Sequence, residues 1–267
     1  MLWIGNDTAR IAWNFPCAED TPMTGRWTIF AIAAALHVLP LPSLAAPADT
    51  LWQKAVAVSK SNYKWMPGTI HEREDIYDKK GNLKDTGERT YRFLLKEDHL
   101  DVELVSATKN GKDALEDAAK EFEKEKEDLL GEDREGDPFH SDNQDAINLH
   151  RLDRTEFLDG VSCVVFEYEI ERKGRAWSGT AWLDDRTGAP LRTCIRPVKF
   201  PHKIKKVEFS ELRITTYFKI DGDGRWVSDR MVTDGRFKVK PIPFYTFKGR
   251  FEETTLLSDH WLFERGD

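Results

Sequence analysis

Three short stretches carry residues of types that could coordinate a metal ion or act as a nucleophile. His71 opens "HERED", in which Asp75 stands where a zinc-binding HExxH helix has its second histidine. Asp221 opens "DGDG", which starts like a calcium-binding loop but lacks the later glycine and glutamate. Ser162 precedes Cys163 without the glycines of a nucleophile elbow. The sequence therefore predicts no catalytic constellation, no metal site and no cofactor.

Large apolar side chains on strands are the remaining candidates for a site. Phe166 and Tyr168 share one face of a predicted strand, and Met231 and Phe237 share a face of another. For any one of them, packing in the core is the simpler interpretation. Together they could line an apolar cavity suited to an acyl chain, whose burial is worth about 0.8 kcal/mol per methylene. The predicted ligand-binding residues are Phe93, Leu104, Phe166, Tyr168, Trp182, Met231, Phe237, Phe247 and Phe251.

A series of strands positions these residues. Alternating apolar and polar residues are interrupted by short polar turns such as "LDGV", "RKG" and "DRTG", which join antiparallel neighbours. A single sheet of that size normally curls. We therefore predict a mainly β (α+β) fold, a strongly curved antiparallel meander or half-barrel of about ten strands. The predicted strands are Thr69–Tyr77, Asp85–Leu95, Leu100–Thr108, Ala146–Phe157, Val161–Ile170, Arg175–Leu183, Leu191–Ile195, Ile204–Ile220, Trp226–Lys240 and Phe244–Leu257.

Two helices accompany the strands. Residues Asp49–Asn62 form a short amphipathic helix that Asp49 or Thr50 can cap. Residues Asp113–Leu130 are rich in Ala, Glu, Lys and Leu, with Glu–Lys pairs three or four apart, and a polar loop follows them to residue 142. This inserted helix is either a solvated surface helix or a movable lid or docking surface. We expect the first helix to cover the concave side of the sheet, and the inserted helix to cover it as well if it acts as a lid.

The N-terminal part has the pattern of an export signal. Arg26 precedes an apolar run of roughly 13 residues, Trp27–Leu39, which is shorter than the roughly 20 residues of a membrane span. Small residues follow, so cleavage after Ala45 or Ala48 is expected. Because Met23 stands just ahead of the signal, we interpret residues 1–22 as an over-long extension, 23–48 as the signal peptide and 49–267 as one domain.

Charge and cysteine content limit the function classes. The chain has a net charge of −7, and residues 49–267 retain 38 Lys and Arg against 44 Asp and Glu. This acidic balance argues against nucleic-acid binding. Cys163 and Cys194 are the two cysteines of the predicted domain, and an exported compartment permits a disulfide between them. Because another strand should separate their strands, we predict that both are unpaired and buried.

The order of turns resembles a known superfamily. "RAWSGTAWLDDRTGAPLRT" has the form W-L-D-x-x-T-G-x-P between two strands, and "YDKKGNLKDTGERTYRFLL" and "LVSATKNGKDALEDAAKEFEKEKE" precede it. "DGDGRWVSDRMVTDG" and "FKGRFEETTLLSDHWLF" follow it. This arrangement resembles the LolA/LolB-type outer-membrane lipoprotein-sorting superfamily and its uncharacterised LolA-like relatives, over nearly all of residues 49–267. The resemblance implies a single LolA-like half-barrel domain in the periplasm.

Two functions of different classes follow from this resemblance. The first is a periplasmic carrier or chaperone that binds a lipid, a lipoprotein or another apolar ligand in the concave face. The second is a non-enzymatic structural or regulatory protein that binds an outer-membrane or other envelope protein through a sheet edge or the acidic helix. An enzyme is the least supported class, because the sequence offers no constellation for it. The expected partners are therefore acyl chains or an envelope protein, and no nucleic acid.

Overall fold

The computed structural model describes residues 49–96, 99–130, 136–172, 174–199, 203–204, 207–242 and 245–263 of the 267-residue chain. The predicted extension 1–22 and signal peptide 23–48 lie outside the described residues. Two α-helices, α1 (Thr50–Asn62) and α2 (Leu115–Leu130), and a 3-10 helix (Ser141–Asn143) accompany the strands. The strands are β1 (Trp65–Met66), β2 (Thr69–Asp78), β3 (Leu83–Lys96), β4 (His99–Lys109), β5 (Lys112–Asp113), β6 (Ile147–Leu158), β7 (Val161–Arg172), β8 (Arg175–Asp184), β9 (Pro190–Lys199), β10 (Lys203–Ile204), β11 (Val207–Ile220), β12 (Trp226–Ile242), β13 (Tyr245–Ser258) and β14 (Trp261–Leu262).

Both helices begin where an aspartate satisfies their free amide groups. The Asp49 carboxylate accepts hydrogen bonds from the amides of Leu51 at 2.8 Å and Trp52 at 3.4 Å, so Asp49 is the N-cap that the sequence predicts. The Asp113 carboxylate accepts from the amide of Leu115 at 2.9 Å. Neither helix in this part of the chain has the length and apolar character of a membrane span.

One antiparallel sheet contains twelve of the described strands, and β1 pairs separately with β14. The order across the large sheet is β5-β4-β3-β2-β13-β12-β11-β9-β8-β7-β6, and β10 pairs with β11. Ten of these strands have ten or more residues. The predicted mainly β fold of about ten strands is therefore confirmed, whereas its strong curvature stays a prediction.

The sheet consists of two meanders joined by β2 and β13. Read from the β6 edge, strands β6 to β13 follow one another in chain order, apart from β10, and β2 to β5 then continue in chain order in the same direction. Ten residues of β13, from Gly249 to Ser258, pair with Asp78 back to Thr69 on β2. This pairing leaves β5 at one edge of the path and β6 at the other.

The segment between β5 and β6 must therefore cross from one edge of the sheet to the other. It contains α2, and its last part, residues 136–146, is described up to the start of β6. Phe122 of α2 and Phe139 of this last part are both buried, with 6% and 1% of their surface exposed. Their neighbours, given below, lie on the same face of the sheet as the neighbours of α1. The cross-strand register places Phe166, Phe251 and Tyr91 on this face, which we call the covered face.

The two cysteines are unpaired, as predicted. Cys163 on β7 pairs with Asp184 on β8, whereas Cys194 on β9 pairs with Thr180 of the same strand β8. The intervening strand and the four-residue offset along it separate them far beyond disulfide reach. Cys163 is buried and Cys194 only half-buried, so the burial prediction holds for Cys163 alone. Burial raises the pKa of the Cys163 thiol, which leaves it protonated and unreactive.

Candidate functional site

A large apolar cluster lies on the covered face beneath α1, and we call it the α1 cluster. Trp52 is its central cover residue, with ring centroids 4.9 Å from Phe139, 5.4 Å from Phe166 and 6.1 Å from Tyr168. Partly buried Met231 packs against its edge. Packing of this kind buries the cluster from solvent in this conformation. Its buried members are Trp52, Ala55, Phe139, Val164, Phe166, Tyr168, Ile170, Trp177, Ala181, Leu183, Ile195 and Ile214.

The cover of this cluster consists of α1 and residues 136–146. Trp52 donates its indole N–H to the Gln144 side chain at 3.0 Å, and the Tyr63 hydroxyl donates to the Asp137 carboxylate at 2.9 Å. These two bonds fasten the helix to the segment that follows α2. The segment itself is ordered by its own side chains, since Asn143 donates to the Asp137 carbonyl at 2.8 Å. The two parts therefore form one hydrogen-bonded unit over the apolar face.

The W-L-D-x-x-T-G turn packs against the first turns of α1, next to Leu51 and Lys54. Asp184 accepts hydrogen bonds from the amides of Arg186 at 2.8 Å and Thr187 at 2.9 Å, which closes the turn as the sequence predicts. Gly188 has a φ of 75°. A Cβ at Gly188 would also lie 2.7 Å from the Lys54 Cβ of α1. The glycine is thus required both by the backbone conformation and by the close approach of the helix.

A second apolar cluster lies beneath α2, and we call it the α2 cluster. Buried Tyr91, Phe93, Val102 and Phe122 form it, and Leu104 packs against it. The rings of Tyr91 and Phe122 are 5.8 Å apart. Two polar links hold the helix at this place: Arg89 lies 3.8 Å from Glu121, and Lys126 pairs with Asp101. The inserted helix is therefore docked on the covered face, by one aromatic side chain and by ion pairs.

A third aromatic group lies on the covered face, on the central strands β11, β12 and β13. Phe251 is completely buried, with ring centroids 6.1 Å from Phe209 and 6.3 Å from Phe237. Its backbone pairs with Gly235, where a Cβ would come within 2.7 Å of the Phe251 ring. This group joins three neighbouring strands, β11, β12 and β13.

The structure distributes the predicted ligand-binding residues over several places. Phe166, Tyr168 and Met231 meet in the α1 cluster, Phe93 and Leu104 belong to the α2 cluster, and Phe237 and Phe251 form the third group. The backbone of Phe247 pairs with Val239, but the described residues do not include its side chain. These sets share one face of the sheet, and their common role in binding stays a prediction.

Trp182 requires a correction, because it lies on the opposite face. It packs with Cys163 and Val165, and the Arg192 guanidinium lies 3.7 Å from the centroid of its ring. Its indole N–H donates to the Glu156 carboxylate at 2.7 Å. Successive strand residues point to opposite faces, so Trp182 is separated from Ala181 and the α1 cluster by the sheet itself.

Polar side chains occupy the middle of the covered face. Glu253 is 5% exposed and pairs directly across the strands with Glu74, while Glu72 pairs with neighbouring Thr255. Burial, together with repulsion from Glu72 and Glu74, raises the pKa of Glu253 well above its usual range, although Arg89 opposes the shift. An apolar ligand therefore has no continuous path across the whole face. Sequence reasoning missed this carboxylate, although the two-residue period of a strand places Glu253 on the same face as Phe251.

The two stretches that resemble metal-binding motifs, "HERED" and "DGDG", have structural roles. "HERED" lies on strand β2 rather than a helix, and the His71 ring contacts the Thr90 hydroxyl at 3.1 Å. Asp221 accepts from the amides of Asp223 and Arg225, both at 2.9 Å, and closes a hairpin turn. Within the described residues, no group of three or more His, Cys, Asp or Glu side chains is arranged to hold a metal ion.

Comparison with known proteins gives structural likenesses only. No protein-family model matches the chain, and no curated protein matches it. The chain is similar to an outer membrane lipoprotein-sorting protein domain from Vibrio parahaemolyticus, at 13% identity and a TM-score of 0.38, over 81% of this chain and 95% of that one. It is also similar to a LolA superfamily protein from Nitrosomonas europaea, at 11% identity and a TM-score of 0.36, over 82% and 95% of the two chains.

A third likeness is to a DUF1329 family protein from Desulfovibrio piger, at 12% identity and a TM-score of 0.34, over 79% of this chain and 91% of that one. The first two structures carry the name of the superfamily that the order of turns resembles. At these scores the likenesses carry no argument about function, so the proposals below rest on the contacts of the chain itself.

Proposed function

We propose that the protein is an exported, non-enzymatic carrier that binds the acyl chain of a lipid or lipoprotein on the covered face, in the place of its own cover. The observation that supports this proposal is the imbalance between the sheet and what covers it. Nine of the twelve buried residues of the α1 cluster lie on strands, whereas the cover contributes only Trp52, Ala55 and Phe139. A small cover on a broad apolar face is suited to exchange with another apolar group.

The energy of this exchange becomes clearly favourable only for a chain longer than about ten methylenes, because displacement of the cover costs about 5–8 kcal/mol in all. Exposing two large aromatic side chains, Trp52 and Phe139, costs about 3–6 kcal/mol, whereas burying ten methylenes stabilises by about 8 kcal/mol. Loss of the Trp52–Gln144 and Tyr63–Asp137 hydrogen bonds adds about 1 kcal/mol each. Capture and release are then equilibrium steps, and the cargo moves on when an acceptor binds it more tightly.

Replacement of the central cover residue tests the carrier function. We expect Trp52→Ala to bind a fluorescent acyl probe more tightly than the wild type, because the probe no longer competes with the indole. The same change should lower the free energy of unfolding by about 3–5 kcal/mol, since a buried aromatic side chain is lost. Probe titration at a temperature at which the variant remains folded separates the two effects.

Trp65→Ala is the matched control. Trp65 lies in β1, away from the α1 cluster, beneath the Arg225 guanidinium at 4.5 Å from its ring centroid. Its loss should leave probe affinity within twofold of the wild type. The carrier function is wrong if neither the wild type nor Trp52→Ala takes up an acyl probe.

Export is part of the proposal and has its own test. The signal pattern of residues 23–48 supports secretion to the periplasm with cleavage after Ala45 or Ala48. The intact mass of the exported protein should therefore correspond to a chain that begins at Ala46 or Asp49. A mature form that retains Met1 or Met23 would contradict this interpretation.

Binding of an envelope protein through the sheet edge is the second candidate function. It is favoured by the tight packing of the α1 cluster and by the position of β6 at the end of the strand order. Phe157, near the end of β6, is 73% exposed. This function predicts that Phe157→Ser abolishes capture of an envelope partner, while acyl probes fail to bind to any variant.

A further inference from the structure

Two buried hydrogen-bond donors in the α1 cluster are unsatisfied. Tyr168 is 2% exposed and Trp177 is 5% exposed. Neither the Tyr168 hydroxyl nor the Trp177 indole N–H has a hydrogen-bond partner among the residues that the structure describes. Buried polar groups are nearly always paired, and leaving one unpaired costs about 1–3 kcal/mol. Two such groups in one apolar cluster indicate that something else satisfies them.

The two side chains stand on adjacent strands of the covered face, because Tyr168 of β7 pairs with Gly179 of β8, two residues after Trp177. The Tyr168 ring extends over Gly179, where a Cβ would lie 2.4 Å from its hydroxyl oxygen. Trp177 stands two residues earlier on the same face of β8. Gly136 of the cover lies over Trp177 and Ile195, because a Cβ on Gly136 would be 2.9 Å from the Ile195 Cδ1 and 3.6 Å from the indole. Movement of Gly136 away from β8 would therefore uncover Trp177.

The chemistry of the two groups selects a hydrogen-bond acceptor. The indole N–H can only donate, and the phenol also donates to a partner that has no proton of its own. Burial raises the pKa of Tyr168 well above its usual range, and the negative charge of Asp137 on the cover adds to that shift. A negative ligand group would meet the same repulsion in the same buried place. The preferred acceptor is therefore an uncharged oxygen.

We propose that Tyr168 and Trp177 bind the carbonyl oxygen of an ester or amide at the head of an acyl chain, while the chain itself occupies the α1 cluster. This proposal rests on the carrier function above and adds its selectivity. An acyl ester or amide should bind in preference to an alkane, which leaves both donors unpaired. It should also bind in preference to a free fatty acid, whose carboxylate is charged at neutral pH.

Competition with a bound fluorescent acyl probe tests this selectivity. The competitors are methyl decanoate, decanamide, decanoate and undecane, which share nearly the same apolar length. For the wild type, we expect the ester and the amide to compete about tenfold more strongly than undecane, as one or two buried hydrogen bonds allow. Decanoate should compete less strongly than either of them at pH 7.5.

Tyr168→Phe removes only the hydroxyl group, so it should reduce the roughly tenfold preference for ester over undecane by about threefold, one of two comparable contributions. Trp177→Phe should reduce the same ratio. Tyr168→Phe should also unfold at the same or a higher urea concentration, because an unpaired polar group has been removed from the core. Tyr217→Phe is the matched control, since Tyr217 lies on the opposite face beneath Arg230, 4.1 Å from its ring centroid, and the ratio should not change.

The outcomes separate this inference from the carrier function. If the wild type binds the probe but undecane competes as well as methyl decanoate, the inference is wrong and the carrier function stands. An unchanged ratio in Tyr168→Phe leads to the same conclusion. Stronger competition by decanoate than by the ester would overturn the argument from charge. If no probe binds to the wild type, the carrier function and this inference fail together.

Discussion

At the scale of single residues, Glu253 makes stability depend on pH. Its carboxyl group is buried among Glu72 and Glu74, and Arg89 is the cation that acts on it. In the unfolded chain a glutamate has a pKa of about 4.3. Because the folded pKa is higher, the folded state binds more protons over the interval between the two values. The free energy of unfolding therefore falls as the pH rises from about 4.3 through the folded pKa.

Replacement of this carboxyl group by an amide should remove that pH dependence. We expect Glu253→Gln to raise the free energy of unfolding at pH 7.5 by about 1–3 kcal/mol, because a buried charge no longer has to be accommodated. Near pH 4 the difference from the wild type should disappear. Urea unfolding between pH 4 and pH 8.5 measures both values.

Glu252→Gln is the control for this change. Glu252 lies on the same strand but on the other face, half exposed, with its carboxylate 2.6 Å from Arg250. Exposed ion pairs contribute little, so this variant should differ from the wild type by less than about 1 kcal/mol at every pH. Equal effects of the two changes would show that burial of Glu253 is not the cause.

The sequence alone could predict which side chains of one strand lie on the same face, but not which residues of other elements cover them. The two-residue period places Phe166 with Tyr168 and Met231 with Phe237, and the structure brings each pair to the covered face. The same period separates Trp182 from Trp177, but only the register of β8 with β7 shows that Trp177, and not Trp182, lies on the covered face. The pairing of Glu253 with Glu74 depends on strand register, which a sequence does not specify until the neighbouring strand is known.

At the scale of elements, local signals predicted the two α-helices and the long strands to within a few residues. The predicted strand Ile204–Ile220 is wrong at its start, because Ile204 belongs to β10, which folds back on β11, and the short strands β1, β5 and β14 were not predicted. Asp49 ends up as the N-cap of α1, and "DRTG" forms the turn between β8 and β9. The pairing of β2 with β13 could not be predicted in this way, because it joins residues far apart in the chain. The route of α2 across the covered face follows from that pairing, since β5 and β6 then lie at opposite edges.

The docking of α2 rests on one aromatic side chain. Phe122 is 6% exposed, whereas Leu115 of the same helix is 37% exposed. We expect Phe122→Ala to lower the free energy of unfolding by about 3 kcal/mol or more, because a cavity remains beside Tyr91. Amide hydrogen exchange in α2 should also become faster than in β4, to which the helix is docked.

Leu115→Ala provides the comparison within α2. An exposed leucine contributes little to the core, so its loss should change the free energy of unfolding by less than about 1 kcal/mol. The charged pairs of the helix, such as Lys120 with Glu116 at 2.9 Å, are exposed and stabilise it only weakly. Similar losses in the two variants would contradict docking through Phe122 and would leave α2 as a solvated surface helix.

At the scale of the whole molecule, strands near the two ends of the described chain meet in the middle of the sheet. Besides the pairing of β2 with β13, the amide of Gly68 donates to the carbonyl of Ser258 at 3.0 Å. The amide of Phe263 donates to the carbonyl of Lys64 at 2.7 Å. The two meanders therefore share one hydrogen-bonded ladder, and contacts of such high sequence separation make folding cooperative but slow.

Phe251 tests this connection, because it is completely buried where β13 pairs with both β12 and β2. We expect Phe251→Ala to lower the free energy of unfolding by about 3–5 kcal/mol, which is a large part of the 5–15 kcal/mol typical of folded proteins. Leu256→Ala on the same strand, where Leu256 is 44% exposed, should cost less than about 1 kcal/mol. Tryptophan fluorescence and far-ultraviolet circular dichroism should still report one coincident transition. Separation of the two meanders would break the β2–β13 pairing and leave each of them with an unpaired edge strand. Two separate transitions in Phe251→Ala would show that the meanders are independent folding units.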